Sequence, residues 1–195
     1  MLNRSSYFIR EHVGMFKLKG VYDILDPESN EVLASAKETS SQWVLWCQFL
    51  INQQFLPIQY TIIEAETNRT LLILERGVTF FRSVITIKGP TGEKLGYLKN
   101  KLFAFKAGFY VYDSHDNLIA QVKGDWVGWN FRFIDANDTE IGIVTKKWAG
   151  IGKELFTSAD NYLIKIHDDG EGVSEAKSLL LLAAGLAIDT VYKSR

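Results

Sequence analysis

Apolar and polar residues alternate along most of this chain in short runs, and residues that favour turns separate the runs. One unit occurs five times: an alternating run, a short stretch rich in Asp, Asn, Gly or Glu, and a second alternating run. Period-two alternation is typical of a strand with one buried face, and Asp, Asn and Gly suit tight reversals. The units therefore predict five β-hairpins, over residues 22–33, 60–72, 84–95, 109–120 and 131–143.

Three further runs are strand candidates: Ser6–Lys19, Thr79–Phe81 and Leu102–Lys106. Together with the hairpins they predict roughly ten to twelve short strands, which favours a closed barrel or a sandwich. Closure of the sheet also removes the exposed edges that promote aggregation. We therefore expect a mainly β protein built as an antiparallel meander.

The end of the chain breaks the β pattern. Residues 179–188 are apolar on all sides, with Lys177 before them and Asp189 after them. A helix of this kind must be enclosed by protein or lipid, and a bilayer crossing takes roughly 20 apolar residues, about twice this run. We expect a helix over 174–192 enclosed by the barrel, with membrane insertion as the alternative. Its predicted core contacts are Leu179, Leu182, Leu186 and Ile188.

A second break predicts a helical insertion over 41–54. Trp43, Trp46 and Leu50 recur at helical spacing, and Pro57 prevents continuation of the helix. Two interpretations remain open for the Trp43–Phe55 segment: a lid over one barrel mouth, or a helix lying in a bilayer interface. The absence of Lys and Arg from this segment favours the lid.

The composition is that of one globular domain over residues 1–195, with 47% hydrophobic residues available for a core. A formal net charge of −1 argues against a nucleic-acid partner. Cys47 is the only cysteine, so the chain forms no internal disulfide. Since the N-terminus has neither a signal-peptide core nor Gly at position 2, we expect a cytoplasmic protein, soluble or peripheral at a membrane.

No motif in the sequence indicates catalysis. His12, His115 and His167 are far apart, and no Cys or His spacing resembles a metal site. The segment 89–94 lacks the spacing of a phosphate-binding loop and is interpreted as a turn. A non-enzymatic protein is expected, and an enzyme that acts in the barrel mouth is the less favoured class.

Two groups of charged residues in the second half are candidates for binding. An acidic group before the terminal helix forms either a weak cation site or a favourable charge at the helix N-terminus. A basic group could meet lipid phosphates at about 1 kcal/mol per residue, although outward strand positions are often Lys in any case. The acidic residues are Asp160, Asp168, Asp169 and Glu171, and the basic residues are Lys99, Lys101, Lys106, Lys123, Arg132, Lys146, Lys147 and Lys153.

The last third of the chain resembles the phospholipid scramblases. Residues 154–164, Glu-Leu-Phe-Thr-Ser-Ala-Asp-Asn-Tyr-Leu-Ile, are similar to the family segment Glu-x-Phe-Thr-x-Ala-Asp-Asn-Phe/Tyr-x-Ile. Residues 141–151 resemble the family run Gly-x-Ile-x-Lys-x-Trp-x-Gly, and residues 182–189 resemble its terminal helix with Ile-Asp. The segment 22–30 also resembles the wider tubby-like and LURP-one-related proteins.

The resemblance implies a tubby-like fold, a closed antiparallel β-barrel of about 12 strands around a central hydrophobic C-terminal helix. It also implies a role at phospholipids. Scramblases are credited with calcium-dependent lipid movement between leaflets, and tubby relatives bind phosphoinositide head groups through basic side chains. The lipid-phosphate ligands are then expected to be Lys146, Lys147, Lys153 and Arg132.

Calcium is the one cofactor that the resemblance suggests. Asp160 and Asp169 match later ligand positions of the family's calcium segment, but Ser158 stands where that segment begins with Asp. The palmitoylated cysteine cluster of the family is absent, and without it stable membrane anchoring is not expected. The sequence predicts a domain that binds lipid head groups or acyl chains at a membrane surface. The alternative is an intracellular scaffold or stress-response module that binds proteins.

Overall fold

The structure, a computed structural model, describes residues 4–12, 20–39, 44, 55–78, 84–100, 108–125, 128–146, 161–167 and 175–192. Within these residues twelve strands and one long helix are present. The strands are β1 (Ser6–Glu11), β2 (Val21–Leu25), β3 (Val32–Glu38), β4 (Ile58–Glu64), β5 (Thr70–Arg76), β6 (Val84–Lys88), β7 (Lys94–Asn100), β8 (Gly108–Asp113), β9 (Leu118–Asp125), β10 (Asn130–Ile134), β11 (Glu140–Thr145) and β12 (Tyr162–Ile166). The helix, α1, is Glu175–Tyr192.

The strands form a closed barrel in which each strand is antiparallel to both of its neighbours. Strand order follows the chain from β2 to β12, and β1 completes the ring by pairing with β2 and β12. This arrangement confirms the predicted meander and its closure. No strand edge is left exposed, so the barrel offers no template for edge-to-edge pairing.

The five predicted hairpins are confirmed as β2–β3, β4–β5, β6–β7, β8–β9 and β10–β11. Each turn contains one residue with a left-handed backbone, at φ between 56° and 90°. Each hairpin also has a register shift beside its turn, so two residues of one strand oppose one of the other. Gly, Asn and Asp adopt this backbone most easily. The left-handed residues are Asn30, Asn68, Gly92, Asp116 and Asp138.

The remaining strand candidates have mixed outcomes. The first part of Ser6–Lys19 forms β1, whereas Thr79–Phe81 and Leu102–Lys106 lie outside the described residues. Strand β12 was not predicted, because its sequence lacks clean alternation. Its Leu163 faces away from the barrel interior, yet is only 1% exposed and forms a small outer cluster with Phe8 and Leu25. Burial on both faces hides the period-two signal.

The predicted core helix is confirmed as α1, which lies inside the barrel. Leu182, Leu186 and Ile188 are at most 2% exposed, and Leu179 is partly buried against the same core. Small residues let the helix fit: a Cβ on Gly185 would lie 2.4 Å from the Cδ1 atom of Ile164 on β12. The barrel interior is therefore filled by a helix that is apolar on all sides, as its sequence requires.

Two other predictions concern helices. Of the predicted insertion 41–54, only Val44 is described; it is helical and 2% exposed, and the rest lies outside the described residues. Among the helices of the described ranges, none has the length and apolar character that a membrane crossing requires.

Candidate functional site

The two ends of the barrel differ. The five tight hairpin turns and the start of α1 lie at one end, which we call the turn end. All other strand connections leave from the opposite end, where strands such as β3 and β5 finish at Glu38 and Arg76; we call it the loop end. Binding residues concentrate where longer connections meet a rigid scaffold. A binding site is therefore expected at the loop end.

A buried polar cluster lies inside the barrel at the loop end. The hydroxyl of Tyr22 donates a hydrogen bond of 2.7 Å to Oδ2 of Asp189 on α1. Tyr60 and Tyr162 line the same space, with the Tyr22 and Tyr60 ring centroids 5.9 Å apart. Asp189 itself is 1% exposed. A carboxylate this deeply buried is rare and depends on polar neighbours.

The tyrosines of this cluster are neutral donors. Burial, and next the Asp189 carboxylate, raise the pKa of Tyr22 far above its usual range. Burial and the same carboxylate also raise the pKa of Tyr162. For Tyr60, burial and then Glu38 raise the pKa. Because none of these hydroxyls ionises near neutral pH, the cluster adds no negative charge, and the Tyr22 hydroxyl supplies the hydrogen bond to Asp189.

A buried cation completes the polar lining of the loop end. Arg76 faces inward at the end of β5, is 4% exposed, and donates from Nη2 to the Leu56 carbonyl oxygen at 3.2 Å. Burial lowers its pKa, while Tyr60 and Glu38 raise it. Sequence reasoning missed both Arg76 and Asp189. The sequence did contain a signal for each residue: Arg76 is a charge at an inward position of an alternating strand, and Asp189 is a charge in an apolar helix.

The structure separates the two described members of the predicted phosphate site. Arg132 points outward from the barrel wall, 3.7 Å from Glu140 in an exposed ion pair. Lys146 follows β11 at the loop end, where its Nζ lies 4.4 Å from the centroid of the Trp129 ring. The two residues are thus about 10 Å apart along the strand direction. Lys147 and Lys153 lie outside the described residues.

Arg132 does have basic neighbours, on the outer wall. It is directly opposite Lys123 on β9 and opposite Ile143 on β11, which in turn is opposite Lys165 on β12. All of these side chains have outward parity, since Val122, Phe133 and Ile164 beside them are buried in the core. Lys123, Arg132 and Lys165 therefore form one row across four strands, which we call the outer-wall row. Sequence reasoning named Lys123 and Arg132 but not Lys165.

The predicted metal ligands are not tested, since Asp160 and Asp169 lie outside the described residues. Within the residues that are described, no group of three or more His, Cys, Asp or Glu side chains is arranged to hold a metal ion. The three histidines remain far apart: His12 pairs with Asp23 at 2.7 Å, His115 lies in a hairpin turn, and His167 Nδ1 lies 3.1 Å from the Glu140 carbonyl oxygen.

The fold defines the class: a closed twelve-stranded antiparallel barrel filled by its own C-terminal helix, as in the tubby-like proteins. The chain belongs to the scramblase family, whose family model, described as Scramblase, matches residues 3–195. The resemblance noted in the sequence is therefore confirmed over the whole chain. No curated protein and no solved structure matches it.

Proposed function

We propose that this protein associates with phospholipid membranes by binding anionic head groups along the outer-wall row. The observation that supports the proposal is the register that places Lys123, Arg132 and Lys165 side by side on the same face. Neighbouring strands are about 4.8 Å apart, so the row spans three strand spacings, or about 15 Å. That length suits more than one phosphate group.

In the absence of a bound anion, the outer-wall row destabilises the barrel. Like charges directly opposite each other on adjacent strands destabilise a sheet, and Lys123 faces Arg132 in this way. Two carboxylates of the β10–β11 hairpin reduce the repulsion, because Lys123 lies 3.2 Å from Asp138 and Arg132 lies 3.7 Å from Glu140. Both ion pairs are solvent-exposed and hence weak. An anionic head group would replace these partners at little cost.

The loop end offers a second contact with the same surface. Trp129 holds a left-handed backbone at φ 46° and packs edge-on against Phe131, with Lys146 above its ring. An indole beside an ammonium is a pair that favours the membrane–water interface. Lys146 is the member of the predicted phosphate set that we place in this contact. The roles proposed for Lys147 and Lys153 rest on the sequence.

Flotation with liposomes tests the proposal. Because each basic residue contributes about 1 kcal/mol at an anionic surface, the protein should bind vesicles containing phosphatidylserine or phosphoinositide at low salt and release them at high salt. Changing all three row residues to Gln should reduce binding by at least about tenfold. Vesicles of phosphatidylcholine alone should bind weakly in every case.

The control is a triple variant with the same change in net charge on the side of the barrel formed by β3 to β6: Lys37→Gln, Arg69→Gln and Lys88→Gln. It should retain most of the binding. Equal loss in both triple variants would mean that net charge and not the row attracts the membrane. Absence of binding by the unaltered chain, at low salt and with calcium present, would refute the lipid proposal. Recovery of a stoichiometric protein partner would then favour the scaffold alternative.

Lipid movement between leaflets is a separate claim that follows from the family. We expect binding to be measurable whether or not movement occurs. A vesicle assay with fluorescent lipid in one leaflet, with and without calcium, distinguishes the two properties. In the same assay, the Asp160→Asn and Asp169→Asn variants of the protein test the calcium site that the sequence suggests.

A further inference from the structure

A groove of about 240 Å³ opens at the loop end, beside the start of β4 and the end of β5. Val44, Pro57 and Ile58 give it an apolar side. It is smaller than the usual pocket for a drug-sized ligand, which begins near 300 Å³. The groove therefore suits a small head group with the first few carbons of a chain.

Arg76, at the end of β5, lines the groove and supplies a cation there. Arg76 is 4% exposed as a residue, and burial lowers the pKa of its guanidinium despite the opposing effects of Tyr60 and Glu38. A desolvated cation attracts an anion more strongly than an exposed one, because water screens it less. Arg76 and Tyr60 also line a second, much smaller cavity of about 10 Å³.

One carboxylate also lines the groove. Glu75 is a neighbour of Arg76 on β5, but its Oε2 atom is 2.5 Å from Nζ of Lys88 on β6. This ion pair offsets the negative charge of Glu75 at the rim. The groove thus combines an apolar side, a buried cation and a neutralised carboxylate, which is the chemistry of a site for an amphiphilic anion.

We propose that this groove binds the anionic end of a single-chain amphiphile, a carboxylate or a phosphate monoester on an unbranched alkyl chain. Arg76 holds the head group, and the first carbons of the chain lie against Val44, Pro57 and Ile58. The site is distinct from the outer-wall row and shares no residue with it. Failure of either proposal leaves the other standing.

Eight-carbon amphiphiles of matched chain length test the chemistry: octanoate, octyl phosphate, octanol and octylammonium. Binding is followed by NMR through the backbone amide of Gly77, which lines the groove. Saturable shifts are expected with octanoate or octyl phosphate, at an affinity at least about tenfold above that of octanol. Response to only one of the two anions identifies the head group that the groove prefers. Tighter binding of octylammonium than of either anion would overturn the proposal.

Gly77→Trp is the decisive variant. A Cβ at this position would meet no atom within 4 Å, so an added side chain starts in open space beside the groove that Gly77 lines. It should reduce anion binding at least about tenfold, as monitored by the amide of Val78. The matched control, Val78→Trp, adds the same ring one residue further along, at a position that is 58% exposed. It should bind as the unaltered chain does, and equal loss in both variants would overturn the assignment.

Charge variants provide a second, independent readout. Arg76→Gln should weaken the binding of octanoate or octyl phosphate at least about tenfold, because hydrogen bonds to charged groups are stronger than those to neutral groups. Glu75→Gln should tighten the binding of the anion by about twofold or more, because the change removes a negative charge from the rim of the groove. The opposite sign for Glu75→Gln would mean that the groove takes a cation. The triple variant of the outer-wall row should bind octanoate unchanged.

Discussion

At the residue scale, the hydrogen bond between Tyr22 and Asp189 is the most consequential contact. It joins the first hairpin to the last turns of α1 across 167 residues of sequence. A carboxylate enclosed by the barrel requires donors, because an unsatisfied buried charge is far more costly than a satisfied one. The contact therefore ties the last turns of α1 to the barrel wall at the loop end.

Tyr22→Phe removes the donor while keeping the ring. We expect it to lower the free energy of unfolding by about 1–3 kcal/mol, because a buried carboxylate loses a charge-assisted hydrogen bond. Urea denaturation followed by tryptophan fluorescence measures the change. Tyr162→Phe is the matched control, since among the described residues the Tyr162 hydroxyl has no hydrogen-bond partner. It should leave stability unchanged or increased, and equal destabilisation by both variants would contradict this role for Asp189.

At the element scale, the fit between α1 and the barrel wall depends on small residues. Ala183, Ala184 and Ala187 are fully buried, and Gly185 is in close contact with Ile164 on β12. A helix in a barrel must match the interior diameter, because a packed interior tolerates neither clashes nor voids. The small residues that follow the run of four leucines in α1 meet this requirement.

Gly185→Ala tests that fit. The added Cβ would lie 2.4 Å from Cδ1 of Ile164. Overpacking of this kind destabilises a core by about 1–3 kcal/mol, whereas Ala stabilises a helix by about 1 kcal/mol relative to Gly. We therefore expect Gly185→Ala to lower the free energy of unfolding. Ile164→Val removes the Cδ1 atom and by itself should cost about 0.5–1.5 kcal/mol. The double variant should be more stable than the sum of the single changes predicts. Additive denaturation energies would show that Gly185 is not required by this contact.

At the scale of the whole molecule, the barrel divides its tasks between two ends and a wall. The turn end holds the chain reversals, while the loop end holds the Asp189 cluster, the Arg76 groove and the contact between Lys146 and Trp129. The outer-wall row lies on a face that the central helix does not touch. Stability and proposed binding therefore depend on different residues, which is why variants can test them separately.

Enclosure of α1 is a property of the whole fold, and Ala184→Asp tests it. A carboxylate at this position would be buried in the barrel without water, so we expect the variant to be unfolded or insoluble. Lys177→Asp places the same side chain in the first turn, where negative charge is favourable, and should fold normally. Circular dichroism and gel filtration distinguish these outcomes. A folded Ala184→Asp protein would refute enclosure.

Local features of the fold could be predicted from the sequence because each depends on neighbouring residues. Alternation around Asn30 or Asp116 shows where a strand ends and the next begins, and the left-handed residue selects the turn. The apolar run before Asp189 likewise shows that α1 needs an enclosure. Strand β12 was missed because Leu163 is buried on the outer face, which removes the alternating pattern.

The sites could not be predicted in the same way, since they depend on register across the closed ring. The sequence by itself determined the five hairpins, the enclosed helix and the scramblase resemblance, all of which arise from short-range pattern. Only the tertiary structure placed Lys165 in line with Arg132, Asp189 against Tyr22, and Arg76 beside a groove. The physical reason is that a strand's period specifies which face a side chain occupies, whereas closure of the barrel decides which distant side chains share that face.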